Sequence, residues 1–133
     1  MLPPLEVILE RIRNSTLLGP VDCTKLDCNA VLDVRDNDAQ FEADWLRVQK
    51  DIEQRWDASD VATESKRLVN EIRREAFLAV SGATSQHVIA TYISDDFDLI
   101  GRSVALGCQD PVIELLWDSY SRKSIPPRSA SDS

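Results

Sequence analysis

The chain has 133 residues, 43% of them hydrophobic, and a formal net charge of −8 from 23 acidic and 15 basic side chains. That length carries one domain able to bury a core without disulfide or metal staples, and no apolar run approaches the roughly 18 residues of a membrane span. The acid excess argues against direct nucleic-acid binding, which draws most of its affinity from Lys and Arg on phosphates, and leaves two roles open: keeping a small domain soluble, or meeting a basic protein surface.

Glu6, Glu10, Arg11 and Arg13 fall where a signal peptide would need an apolar run, so a cytoplasmic location is expected. Cys23, Cys28 and Cys108 are odd in number, and four residues separate the first two, which is not the spacing of a redox or zinc pair. Reduced thiols used as small apolar fillers are the plain reading. His87 is the one histidine, too few for a di-iron carboxylate site, and no cofactor is expected.

A first helix should start after Pro3 and Pro4 with Leu5, Ile8, Leu9 and Ile12 on one face, and Gly19-Pro20 should end that segment. Residues 19–36 then lose periodicity and form a long connector. Within it Ala30–Val34 could be a short strand, although nothing offers to pair with it; a short helix, a segment packed across the bundle or a binding loop are the alternatives. A second helix should begin at Asn37 or Asp38, with Gln40 completing a capping box, and carry Phe41, Trp45, Val48 and Ile52 as its seam. At about 100° per residue, Ile52 and Val61 would point about 180° apart on one unbroken helix. A break over residues 57–60 is therefore more economical than one long bent helix, with Asp57 or Ser59 as the new cap.

The third helix carries Val61, Leu68, Ile72, Ala76 and Val80, and Gly82 is placed to end it in the left-handed conformation, leaving Thr84 or Ser85 to cap the next. The stretch His87–Ile93 is rich in β-branched residues and reads locally as a strand. Ile89, Ile93, Phe97, Ile100 and Val104, however, continue one helical stripe through the polar Ser94-Asp95-Asp96, which a strand ending at Ile93 does not explain. Gly107 closes this fourth helix. Asp110-Pro111 opens a fifth with Val112, Ile113, Leu116 and Tyr120 on its buried face. After Ser124 too few apolar residues remain to offset the cost of ordering, so residues 124–133 read as a flexible tail on a single helical domain of residues 1–123.

The sharpest enzymatic candidate is a set of carboxylates. Glu71 and Glu75 lie four apart, Asp95, Asp96 and Asp98 follow on the next helix, and facing carboxylates at helical spacing are how small all-α nucleotide pyrophosphatases hold magnesium. Asp95 and Asp98 nevertheless fall about 140–160° from the centre of the fourth stripe, toward solvent, and only Asp96 borders the apolar face. A solvated acidic face paired with neighbouring bases is the plainer reading. The run Asp95-Asp96-Phe97-Asp98 also resembles the aspartate-rich magnesium motifs of prenyl-chain enzymes, over too few letters and in too short a chain to imply their substrates. Gly101, beside the same stripe, would let a neighbouring backbone approach closely.

For binding, Trp56 at a helix end, and Leu115 and Trp117 at the margin of the last stripe, are the candidate interface anchors. The expected fold is an all-α, mostly antiparallel bundle of about five helices. The expected function is that of a non-catalytic, acidic, intracellular protein that binds a protein partner, a basic one suiting its charge: an adaptor, regulator, inhibitor or immunity-type factor. Two alternatives stand beside it. One is a small magnesium-dependent nucleotide hydrolase using Glu71, Glu75 and Asp96; the other is a structural module that self-associates as a homo-oligomer through its last helix.

Overall fold

The computed structural model describes residues 2–25 and 27–126, and among these every regular element is a helix. They are α1 (Leu5–Arg13), α2 (Pro20–Thr24), α3 (Cys28–Asn37), α4 (Ala39–Ala58), α5 (Thr63–Thr84), α6 (His87–Leu106) and α7 (Pro111–Ser121). The five expected helices are α1, α4, α5, α6 and α7; the connector adds the one-turn α2 and the ten-residue α3. The segment Ala30–Val34 is therefore helical, not extended. Asp27 begins α3 by accepting the Ala30 amide at 3.1 Å.

The expected stripes form the core, apart from Val61, which precedes α5 and is half-buried, and the half-buried Trp45 of α4. Leu5, Ile8, Leu9 and Ile12 of α1, Ile72, Ala76 and Val80 of α5, and Ile89, Ile93, Phe97 and Ile100 of α6 are all buried, as are Val112, Ile113, Leu116 and Tyr120 of α7. Val104 packs partly buried at the edge. Burying such a stripe supplies most of what holds a helix in place, since each large apolar side chain contributes about 1.5–3 kcal/mol.

α6 lies at the centre. It packs most extensively on α5 and also touches α4, α7 and α1. Contacts of Gly101 with Val69 and of Ser94 with the Arg73 carbonyl make α5 and α6 antiparallel. α4 instead runs in the same direction as α6, because Trp45 meets Asp96 while Trp56 lies under Arg102. α1 and α2 pack against α5, and α3 packs on α4.

Local chemistry moved several expected boundaries. Asp38, not Asn37, caps α4, accepting the Phe41 amide at 2.9 Å, while Asn37 closes α3 and Gln40 reaches Asp44. The chain turns between Ala58 and Thr63, and Ala62 takes the N-cap position of α5 without a side-chain cap, in place of Asp57 or Ser59. Gly82 stays helical. α5 ends instead at Ser85, whose φ is 57°, because Thr84 holds the extra turn by donating to the Val80 carbonyl and accepting from the Gln86 amide. Beside Gly101 the neighbour is the Val69 side chain, 3.5 Å from where a Cβ would sit, rather than a backbone. At the C-terminal side, Ile125 packs on the core and Pro126 is buried, whereas residues 127–133 of the expected tail lie outside the described residues.

Candidate functional site

Among the described residues one carboxylate is buried in the interior, Asp96 of α6, which has no exposed surface. Its position at the border of the α6 stripe turns it into the junction of four helices. Arg35 of α3 donates to both carboxylate oxygens, at 2.6 and 3.0 Å. The Trp45 indole of α4 donates at 2.9 Å and the Tyr120 hydroxyl of α7 at 2.5 Å. The Arg35 side chain is 9% exposed, and its guanidinium also lies 5.2 Å from the ring centres of both Phe41 and Tyr92.

Burial acts to lower the pKa of Arg35, but hydrogen bonding and charge from Asp96 outweigh it and hold the group above its ordinary value. Burial, then the charge of Asp96, pushes Tyr120 well above the usual phenol range. Every acceptor direction of Asp96 is answered by a donor of the chain itself, so this cluster clamps helices together and offers no free acid or base.

Above the clamp, a cleft of about 210 Å³ opens between α3, α4 and α6. Phe41, Trp45 and Tyr92 form its aromatic walls, Leu46 stands at the mouth 51% exposed, and Asp36, Glu42 and Asp95 add carboxylates. The Tyr92 hydroxyl donates to Asp36 at 2.9 Å, and that bond, with burial, raises the Tyr92 pKa. Burial also pushes the Asp95 carboxyl upward, against the opposing charges of Arg73 and Arg35.

The family model described as immunity protein PIM1 matches residues 7–127, a span that runs from the first turn of α1 past the end of α7. The chain belongs to that family. Comparison with curated proteins and with solved structures returns no match. The clamp and the cleft of this immunity-family chain both fall wholly inside the matched span.

The residues expected to bind are placed on separate helix pairs. Trp56 is partly buried beneath Arg102 of α6, 4.9 Å from the ring centre, and Trp117 is partly buried with Arg11 of α1 at 5.5 Å. Leu115 is 40% exposed. The alternative metal set of Glu71, Glu75 and Asp96 does not assemble. Glu71 pairs with Arg13 at 3.1 Å and Arg67 at 2.6 Å, and Glu75 lies 3.9 Å from Arg13, on the α1–α5 surface, while Asp96 is enclosed by its own donors. Among the described residues no group of three or more His, Cys, Asp or Glu side chains is arranged to hold a metal.

Among the described residues Cys23, Cys28 and Cys108 form no disulfide, and Cys23 lies in the core. His87 stacks on Phe77 with ring centres 6.0 Å apart and shares a hydrogen bond with Ser81 at 3.0 Å, as a surface residue at the start of α6. Sequence reasoning missed Arg35 and Tyr92. The available signal was Asp96 itself, since a carboxylate bordering an apolar stripe needs a buried donor, and Arg35 is, with Lys25, one of two cations in an otherwise aperiodic connector.

Proposed function

We propose that this chain is a non-catalytic, cytoplasmic immunity factor that binds one protein toxin and blocks it. The single observation that carries the reading is the family match over residues 7–127. The net charge of −8 supports a basic partner surface, because complementary charge raises association rates and disfavours wrong partners. The clamp supports a binding role, since it holds α3, α4, α6 and α7 in one fixed arrangement before any partner arrives, which lowers the ordering cost of association.

Leu115, exposed on α7 near the partly buried Trp117, and Trp56 at the end of α4 are secondary contacts for the same partner. Self-association through Leu115 would show as a dimer in sedimentation, abolished by Leu115→Glu.

The test begins with affinity purification from the native host and identification of the captured protein. Purified components should then form a stable complex, the captured protein alone should arrest growth of a test strain, and co-expression of this chain should restore it. A captured protein without toxicity, or toxicity that this chain leaves untouched, would overturn the reading.

A further inference from the structure

The cleft between α3, α4 and α6 has a composition that limits what can cover it. At about 210 Å³ it is smaller than the roughly 300–1,000 Å³ of pockets for cofactor-sized molecules, and of a size for one long side chain. Its walls are the aromatic faces of Phe41, Trp45 and Tyr92. The cation at its base, Arg35, is already matched by Asp96 through two hydrogen bonds. The outer carboxylates therefore have no cation bonded to them: Asp95 feels the charges of Arg73 and Arg35 at a distance, without an ion pair to either. Among the described residues Asp36 accepts only from the neutral Tyr92 hydroxyl, and the Glu42 and Asp95 side chains make no hydrogen bond or ion pair.

Any protein surface that covers this cleft strips water from those carboxylates. An apolar anchor would leave them buried and unpaired, which is strongly unfavourable. A cation would pair with them, and a planar guanidinium would also stack on the rings. A bare metal ion fits less well, since these carboxylates are not grouped to coordinate one.

We propose that this cleft is the docking site for a cationic side chain, an arginine above all, presented by the protein partner, with Glu42 and Asp95 as its ion-pairing groups and Trp45 and Tyr92 as its stacking walls. The proposal rests on the immunity reading for the identity of the partner, while the cleft's preference for an organic cation stands on its own geometry.

Two measurements test it, and they separate its failure from that of the immunity reading. In the first, Nα-acetyl-argininamide is titrated into the full chain and followed by NMR at the Trp45 indole N–H and the Leu46 and Tyr92 amides. Saturable shifts confined to the cleft are expected, with binding at least about fivefold weaker in Glu42→Gln/Asp95→Asn and no comparable shifts from Nα-acetyl-leucinamide. Absent saturation, equal binding by the double variant, or an equal response to the leucine probe would overturn the proposal.

The second measurement uses the toxin captured as described above. The double variant, its fold checked by circular dichroism, should associate about tenfold more slowly than the wild type and show a weaker dependence on salt. If the toxin is neutralised equally by wild type and double variant, the immunity reading stands and the cleft is not its docking site. If the arginine probe binds but no captured protein is neutralised, the cleft remains a cation site and the immunity reading fails.

Discussion

Replacing Asp96 with Asn changes almost no volume and removes one negative charge from a position with no exposed surface. Four donor contacts now converge on that carboxylate, two from Arg35 and one each from Trp45 and Tyr120. An amide has one acceptor oxygen and two donor hydrogens, so at least one Arg35 contact becomes donor against donor, and a guanidinium only 9% exposed is left without its counter-charge. Breaking a buried pair in this way costs about 3–5 kcal/mol, a large share of the roughly 5–15 kcal/mol by which a domain is stable.

Asp96→Asn should therefore lower the urea midpoint strongly at unchanged slope and the melting temperature by on the order of 10–20 °C. Adding Arg35→Met should restore part of the loss, because the stranded cation is gone, giving a coupling of at least about 2 kcal/mol in a double-mutant cycle. A loss under about 1 kcal/mol for Asp96→Asn, or two changes that simply add, would refute the clamp as described.

Tyr120→Phe keeps the ring that packs 4.7 Å from Phe97 but removes a hydrogen bond to a charged acceptor, for an expected cost of about 1.5–3 kcal/mol at neutral pH. The folded-state pKa of Tyr120 is raised, so its contribution is complete below the unfolded value of about 10 and is lost as pH rises through the folded one. Urea midpoints of wild type and Tyr120→Phe should thus converge at alkaline pH, and a constant gap would contradict this. Asp95 is also raised, by burial first, so its ionisation works against folding above about pH 3.9. Asp95→Asn should be at least as stable as the wild type at neutral pH and indistinguishable from it below the ordinary carboxylate range; a clear loss at pH 7 would mean a carboxylate that is paired.

Gly101→Ala should stabilise by up to about 1 kcal/mol, since the new methyl meets Val69 at an ordinary 3.5 Å and the residue is helical; thermal melts showing a loss would indicate hidden crowding. Millimolar magnesium should leave the melting temperature unchanged, because Glu71 and Glu75 are engaged by Arg13 and Asp96 by Arg35. A saturable rise that Glu71→Gln abolishes would reopen the metal reading.

Five of the helices were legible because apolar side chains recur at the helical period, and the same side chains form the core: Ile8 and Ile12, Val48 and Ile52, Ile72 and Val80, Phe97 and Ile100, Ile113 and Leu116. The left-handed end at Gly107 and the Asp110-Pro111 start of α7 were legible for a local reason, since backbone freedom and side-chain capping act within a few residues. α3 was not. None of its residues is fully buried; Cys28, Val31 and Leu32 pack only partly buried against the core, and the contact that reaches into the interior is a charge, Arg35 on Asp96, which leaves no trace in hydrophobic periodicity. The cleft was hidden for a related reason, because Asp36, Glu42, Tyr92 and Asp95 come from three helices that only tertiary packing brings side by side. Helical periods, and the ends at Gly107 and Asp110-Pro111, can be read locally because they depend on short-range sterics and capping. Which carboxylate is buried, which cation answers it and which acids line an aromatic cleft without an ion pair depend on contacts between residues more than fifty positions apart, which form only when the helices pack.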